Sequence, residues 1–163
     1  MSWFKGSKVH KNPPLDLATS ILHDETTFYN QFTCDLLTAK EEVIIESPFI
    51  TTKRMRQLRP VFDRLISKEV KVYIMTRDPR EHTDEYAVQS ENEIRYFETL
   101  GVQVLLCVGN HHRKLAILDR KILWEGSLNI LSQTHSREIM RRIDSSKLTG
   151  EMFKFLKLER WIF

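Results

Sequence analysis

The chain has 163 residues, a length that suits one domain with a full hydrophobic core. Hydrophobic residues make up 41% of the sequence and charged residues 29%, with a net charge of +3, as in an ordinary globular protein. No apolar stretch approaches the length of a membrane span, which argues against an integral membrane protein. The first residues lack the apolar core of a signal peptide, and two cysteines are too few for a disulfide framework, so we expect a cytoplasmic protein.

The positive charge is concentrated in the last third of the chain. From His111 onward, eleven Lys and Arg residues stand against six Asp and Glu residues. This excess favours a polyanionic partner, either nucleic acid or an anionic membrane surface.

Hydrophobic periodicity predicts helices alternating with strands. Residues 1–14 are expected to form an irregular arm, and residues 15–163 a single domain. The predicted elements are a helix at 24–40, a strand at 42–47, a helix ending near 68, a strand at 70–76, a helix at 84–100 and a strand at 102–108. This order predicts an α/β fold, a mixed β-sheet sandwiched between helices.

Single residues refine these bounds. Asp24 is the expected N-cap of the first helix, and Pro60 is expected to start or kink the second. Gly101 is a natural C-cap for the third helix, in which Tyr86 is expected to be buried. The strand at 102–108 is almost continuously apolar, which predicts a strand covered on both faces.

Basic residues crowd the start of the second helix. Lys53, Arg54 and Arg56 either form a solvated face or contact a phosphate backbone, and the sequence leaves both interpretations open.

Two short apolar runs separated by a polar turn predict a β-hairpin that carries chemistry. The runs are Leu115–Leu118 and Ile122–Trp124. Because alternate residues of an extended segment share a face, His112 and Lys114 are expected to point the same way. An imidazole beside a fixed cation suits reaction at a phosphate ester, where oxyanion charge develops.

The spacing of these residues resembles the signature of the phospholipase D superfamily. His112, Lys114 and Asp119 form His-x-Lys-x4-Asp, and Gly-Ser-x-Asn follows at residues 126–129. Glu138 matches the position of a downstream carboxylate in that family. The resemblance covers residues 101–144 and implies a mixed sheet between helices, consistent with a further strand at 137–143 and a closing helix at 149–161.

The resemblance also implies roles for these residues. His112 becomes the nucleophile that forms a phosphohistidine intermediate. Lys114 and Asn129 bind the non-bridging phosphate oxygens, and Glu138 accepts a hydrogen bond from the far nitrogen of a site histidine.

The remaining motif residues are given lesser roles. Ser127 assists in binding substrate together with Gly126. Asp119 belongs to the catalytic motif, but in a supporting role, because a regular strand places it on the face opposite Lys114.

One histidine cannot serve as nucleophile and general acid in the same step. Members of the family solve this with two His-x-Lys motifs, whereas this chain has one. We therefore expect a homodimer with one composite site, in which two copies of His112 share a phosphate and titrate as a pair.

No metal and no cofactor are predicted. A zinc cluster of Cys107, His111 and His112 lacks a fourth ligand at a recognisable spacing.

The favoured function is a nuclease that cleaves DNA, with RNA as a second substrate, similar to the single-motif bacterial nucleases of the family. Two alternatives stay open: a lipid phosphodiesterase acting for example on cardiolipin, and a non-catalytic module that binds nucleic acid within a larger assembly.

Overall fold

Seven strands form one mixed sheet in the computed structural model, which describes residues 20–163. The predicted arm at 1–14 lies outside the described residues. The strands are β1 (Ser20–Asp24), β2 (Glu42–Glu46), β3 (Lys71–Arg77), β4 (Gln103–Cys107), β5 (Leu115–Leu118), β6 (Ile122–Gly126) and β7 (Ile139–Asp144). Their order across the sheet is β1-β7-β6-β5-β2-β3-β4.

The sheet has a parallel half and an antiparallel half. Strands β2, β3 and β4 are parallel neighbours, whereas β2–β5, β5–β6, β6–β7 and β7–β1 pair antiparallel. Because the carboxyl ends of parallel strands meet at one edge, Glu46, Arg77 and Cys107 end there together. Glu46 pairs with Leu115, so β5 begins at this same edge.

Four helices cover the sheet: α1 (Phe28–Thr38), α2 (Thr52–Ser67), α3 (Asp84–Leu100) and α4 (Ser146–Phe155). Helices α1, α2 and α3 pack on one face, and α4 with the C-terminal turn packs on the other. Alternation along β2 shows the two layers, since Val43 and Ile45 enter the first cluster and Ile44 the second. The predicted α/β sandwich is confirmed. No helix between Ser20 and Phe163 combines the length and apolarity needed to cross a membrane.

Several predicted bounds were wrong for identifiable reasons. Helix α1 begins at Phe28, because Asp24 instead ends an unpredicted strand, β1, and accepts hydrogen bonds from the backbone N–H groups of Thr26 and Thr27. Helix α2 begins at Thr52 and continues through Pro60, capped by the Thr51 hydroxyl.

Two burial predictions also failed. Strand β4 lies at the sheet edge, and Leu106 is 50% exposed. The strand is therefore not covered on both faces, although its apolar composition predicted that it would be. Tyr86 is 43% exposed on α3. Gly101 does end α3 in the left-handed region, with φ of 88°.

The hairpin predicted from residue 115 is confirmed in strands β5 and β6. Asp119 and Arg120 connect them with φ angles of 48° and 51°. Positive φ at both central residues gives the turn a twist that matches the flanking strands.

Candidate active site

The loop that enters β5 is held at its start by an acidic side chain. Glu81 accepts hydrogen bonds from the backbone N–H groups of Gly109 (2.7 Å) and Asn110 (2.9 Å). These bonds, from Gly109 first, lower the pKa of the Glu81 carboxyl. Gly109 and Asn110 have φ of 83° and 55°, a conformation that glycine and asparagine tolerate best. The loop therefore approaches the sheet edge in a defined conformation.

A buried carboxylate then fixes alternate residues of the loop. Glu46 is fully buried, and its Oε2 accepts a hydrogen bond from Arg113 Nε at 2.7 Å. His111 Nε2 lies 3.1 Å from the same oxygen. Because His111 and Arg113 turn to Glu46, the residues between and after them, His112 and Lys114, are left to other partners, as alternation predicts.

His112 is exposed at the carboxyl edge of the sheet, and its ring contacts an arginine. His112 Nδ1 lies 3.2 Å from Arg77 Nη2, while Arg77 Nε donates to the backbone oxygen of His111 at 3.0 Å. A guanidinium can only donate, so Nδ1 accepts and the neutral ring carries its proton on Nε2. Partial burial, and then the positive charges of Lys114 and Arg77, hold the pKa of His112 below its ordinary value. The neutral imidazole is favoured at this position.

Lys114 lies beside His112 and beside Glu138. Its Nζ donates to the backbone oxygen of His112 at 2.6 Å. Partial burial lowers the pKa of Lys114, and the Glu138 carboxylate acts in the opposite direction. The structure thus groups His112, Lys114 and Glu138 with Arg77, a cation that the sequence interpretation missed.

Glu138 is anchored by two serines. It accepts hydrogen bonds from Ser127 Oγ and, at 2.6 Å, from Ser136 Oγ. Ser127 Oγ also accepts from Ile139 N at 3.1 Å, which ties the end of β6 to the start of β7. Within residues 20–163 the Glu138 carboxylate bonds these serines and no histidine, so the predicted hydrogen bond to a site histidine is not made inside one chain.

Gly126 has a structural reason to be glycine. A Cβ at this position would lie 2.1 Å from the backbone oxygen of Ile139 and 2.9 Å from Met140 Cα. The bare backbone lets β6 approach β7 closely enough to set the Ser127–Glu138 contact. Gly126 borders the site, but the close strand approach explains it better than the substrate binding predicted from sequence.

Asn129 follows on the loop after β6. Its backbone oxygen accepts from the N–H groups of Ser132 and Gln133, which holds the turn. Its side-chain Oδ1 is buried without a hydrogen-bond partner among the described residues. A buried acceptor left unpaired is costly, and a ligand that donates a hydrogen bond removes that cost.

Asp119 lies away from this group, as expected for a residue with a supporting role. It sits at the far end of β5 from Lys114, where its carboxylate accepts from the backbone N–H groups of Lys40 (2.9 Å), Glu41 (2.8 Å) and Glu42 (3.0 Å). The residue joins the hairpin tip to the start of β2. Its role in the motif is to hold β5 in register.

The three basic residues in the first turns of α2 have different surroundings. Arg54 is occupied, since its Nε and Nη2 donate to the Gln133 backbone oxygen at 3.1 and 2.6 Å and its guanidinium stacks 3.7 Å from the centre of the Tyr29 ring. Arg54 therefore supports the loop after β6, and a contact of this residue with a phosphate backbone stays a prediction. Arg56 is exposed, and Lys53 borders a cleft next to the site.

The sequence interpretation also did not identify Phe49 and His82 as residues of the site. The Phe49 ring lies edge-on to His112 at 6.2 Å, stacks at 31° with His82 at 5.0 Å, and has Arg77 5.0 Å from its centre. Burial lowers the pKa of His82, with Arg77 next in effect. Phe49 and Arg77 could have been found, because both lie just beyond the carboxyl ends of predicted parallel strands, where sites of α/β folds form.

Two depressions lie near the site, and His112 lines the first of them. The first, the apolar groove, has a volume of about 790 Å³. Its lining includes His112, Lys114 and Ser127 together with Leu22, Ile139, Met152 and Phe155. The second, the polar cleft, has a volume of about 390 Å³ and is lined by Phe49, Lys53, Tyr86, Gln89, Asn129, Ser136 and their neighbours. Glu138 bonds residues of both depressions: it accepts a hydrogen bond from Ser127, which lines the groove, and another from Ser136, which lines the cleft.

Titratable residues in the described part of the chain form no group of three or more His, Cys, Asp or Glu that could hold a metal ion. The arrangement instead offers an imidazole, two cations and a carboxylate around one point at the sheet edge. Such a set can bind a phosphate ester and act on it by nucleophilic and acid–base chemistry.

Comparison with known protein families agrees with the resemblance found in the sequence. The sequence profile of a family described as cardiolipin synthase, PLD-like domain, matches residues 33–158. Comparison with curated proteins gives no match.

Solved structures share the fold. NucT from Helicobacter pylori superposes with a TM-score of 0.68 at 18% identity, covering 85% of this chain and 92% of NucT. A phospholipase D family member, Nuc from Salmonella typhimurium, gives 0.66 at 17%, covering 87% and 93%. Phosphatidylserine synthase from Haemophilus influenzae gives 0.66 at 16%, covering 87% of this chain and 38% of that protein.

Proposed function

The chain belongs to the phospholipase D superfamily, and on that basis we propose that it is a nuclease whose His112 forms a covalent intermediate at a site shared by two copies. The observation that carries the proposal is the convergence of His112, Lys114 and the Ser127–Glu138 pair at one sheet edge, where the superfamily motif expects its phosphate.

The first step uses Nε2, the ring nitrogen that Arg77 does not contact. Nε2 of one His112 attacks phosphorus, a P–N bond forms and the P–O bond to the leaving alkoxide breaks. The second His112, protonated as an imidazolium, donates its Nε2–H to that alkoxide and becomes neutral. Lys114 and the Asn129 amide donate to the non-bridging oxygens, where negative charge increases in the transition state.

The second step returns the enzyme to its starting state. Water attacks phosphorus, the second imidazole accepts a proton from that water, and the P–N bond breaks to release a phosphate monoester. The acid of the first step is thus the base of the second, which suits a group that titrates near neutral pH.

One observation supports a site built from two copies. Within one chain Arg77 holds Nδ1 of His112 as an acceptor, which leaves the proton on Nε2 and keeps that nitrogen from acting as the nucleophile. The nucleophile needs the opposite tautomer, with its Nδ1–H donated to a carboxylate, and Glu138 does not bond the histidine of its own chain. We assign that contact to Glu138 of the second copy.

The apolar groove supplies a surface for this association. Leu22, Ile139 and Phe155 are 59%, 62% and 81% exposed, and all border the groove that contains His112. Fully buried interface centres are apolar, so a second copy seated here gains stability while it brings the two histidines together.

Nucleic acid is favoured over lipid as the substrate. The sequence resembles the single-motif nucleases of the family, and NucT and Nuc are spanned almost completely by this chain, as expected for one-domain members. A lipid phosphodiesterase is the second candidate, because an apolar groove beside a phosphate site also suits an acyl chain.

A substrate panel distinguishes the candidates. Purified protein is incubated in excess EDTA with plasmid, single-stranded DNA, RNA and phospholipid vesicles. The proposal expects cleavage of polynucleotide that persists in EDTA. Turnover of lipid alone establishes the second candidate, and binding without turnover establishes a non-catalytic module.

Arg77 is expected to shift the pH dependence of the reaction. Replacing it with glutamine keeps a donor for Nδ1 but removes a positive charge, so the pKa of His112 rises toward its ordinary value. The neutral nucleophile is lost as pH falls through this pKa, so the acidic limb of the kcat/KM profile moves to higher pH in Arg77→Gln.

The measurement pairs that profile, taken with bis(p-nitrophenyl) phosphate, with an NMR titration of the His112 ring. Arg77→Lys is the matched control because it keeps the charge. An unchanged limb and an unchanged titration in Arg77→Gln would show that Arg77 does not act on the histidine.

A further inference from the structure

The polar cleft lies next to the catalytic group, since its lining residue Phe49 has its ring 6.2 Å from that of His112 and its lining residue Ser136 bonds Glu138. Asn129 and Phe49 line it, together with Lys53 on α2 and Tyr86 on α3. Its volume of about 390 Å³ lies in the range of small-molecule sites. The reaction proposed above uses only Asn129 among these residues.

The cleft presents an aromatic surface that has room for a ligand. Phe49 is engaged by His82 at 5.0 Å and by Arg77 at 5.0 Å, so its ring is already packed. Tyr86 lies edge-on to Phe49 at 5.7 Å and is 43% exposed. Among the aromatic residues lining the cleft, Tyr86 therefore offers the more open ring for stacking.

Polar groups complete the lining. Asn129 Oδ1 is buried without a partner in residues 20–163 and needs a donor. Glu85 also lines the cleft and disfavours a phosphate in its interior, whereas a base amino group can donate to it. Lys53 is exposed at the rim and forms no ion pair among the described residues. The interior thus suits a neutral donor-bearing group, and Lys53 suits an anion beyond it.

The cleft is continuous with the catalytic group. Ser136 lines the cleft and bonds Glu138, and the Phe49 ring lies 6.2 Å from that of His112. A molecule whose phosphate is held by His112 and Lys114 therefore has its neighbouring group at the mouth of the cleft.

We propose that the polar cleft binds the nucleoside next to the scissile phosphate, with its base against Tyr86 and the following phosphate at Lys53. This inference rests on the proposed function. A base in a duplex has both faces covered by its neighbours, so it enters such a cleft only when it is unpaired. The substrate class is therefore single-stranded polynucleotide.

Binding to the inactive His112→Ala protein tests this site without requiring turnover. Fluorescence anisotropy gives the dissociation constants of a labelled single-stranded oligonucleotide and of the same strand annealed to its complement. We expect the single strand to bind more tightly. Tyr86→Ala in this background is expected to weaken binding of the single strand by about fivefold or more, the effect of losing one aromatic stacking partner.

Matched variants separate stacking from charge and from folding. Tyr86→Phe keeps the ring and is expected to retain most of the affinity. Tyr96→Ala removes a tyrosine from the same helix but outside the cleft, and is expected to leave the dissociation constant unchanged. Lys53→Ala is expected to lower the salt dependence of binding by about one ion.

Equal affinity for duplex and single strand, or an unchanged dissociation constant in Tyr86→Ala, would overturn the proposal. Tyr86-dependent binding of single strands with no cleavage by the wild-type protein would instead retain this site and refute only the nuclease.

Discussion

Replacement of His112 with alanine is expected to lower hydrolysis of polynucleotide and of bis(p-nitrophenyl) phosphate by about 10³-fold or more. In a homodimer the change removes both the nucleophile and the general acid, and loss of a covalent nucleophile has effects of at least this size. The rate is measured in excess EDTA, where the wild-type protein is expected to keep its activity.

His135→Ala is the matched control for loss of one imidazole. His135 is exposed and makes no hydrogen bond among the described residues, so the control is expected to hydrolyse both substrates at the wild-type rate. If His112→Ala keeps a tenth of the wild-type activity or more, His112 is not the nucleophile.

Replacement of Asp35 with alanine is expected to lower the free energy of unfolding by about 3–5 kcal/mol, the usual effect of removing one partner from a buried ion pair. Asp35 is 5% exposed and accepts from Arg142 Nε at 2.8 Å and from Trp124 Nε1 at 2.9 Å. These bonds join α1 to β6 and β7, the strands that place Ser127 and Glu138.

The free energy comes from urea unfolding followed by tryptophan fluorescence and circular dichroism. Glu91→Ala is the control, because Glu91 is exposed on α3 and forms no ion pair among the described residues, so its loss should change the free energy of unfolding by about 0.5 kcal/mol or less. If the two variants lose similar stability, the Asp35 network does not hold the strands in place.

The hairpin and the motif could be predicted because their signals are local. The apolar runs Leu115–Leu118 and Ile122–Trp124 flank a polar turn, and the observed strands fall on them. The alternation that separates His112 from His111 follows from extended backbone alone. The order of helices and strands likewise gave the α/β fold.

The edges of the sheet could not be predicted in this way. Strand β4 is as apolar as a central strand but lies at one edge, and β1 at the other edge is recognised only through its pairing with β7. Burial of an edge strand depends on what packs over it, which a run of residues does not encode.

The catalytic surroundings depend on contacts between distant parts of the chain. Arg77 reaches His112 across 35 positions, and Asp119 binds the backbone N–H of Lys40 across 79. The family motif includes Asp119, whose carboxylate binds backbone N–H groups at the start of β2 and not the residues around His112. Sequence spacing identifies the residues of the motif, and the fold determines which of them lie close together.

The most direct test of the account mixes two inactive variants, His112→Ala and Glu138→Ala, by unfolding and refolding them together. Hybrid dimers contain one intact His112 and, on the other copy, the intact Glu138 proposed to orient it. Bis(p-nitrophenyl) phosphate releases a leaving group that needs no general acid, so one such pair is sufficient for the first step. The readout is therefore the burst of p-nitrophenolate that accompanies formation of the phosphohistidine.

We predict that neither variant alone gives a burst and that the mixture releases about one p-nitrophenolate for every two dimers, because random pairing makes about half of the dimers hybrids. Steady turnover is not expected to return, since the hybrid lacks the second imidazole that acts as base in the second step. A mixture as inactive as its components, formed from correctly folded dimers, would contradict a site shared between two copies.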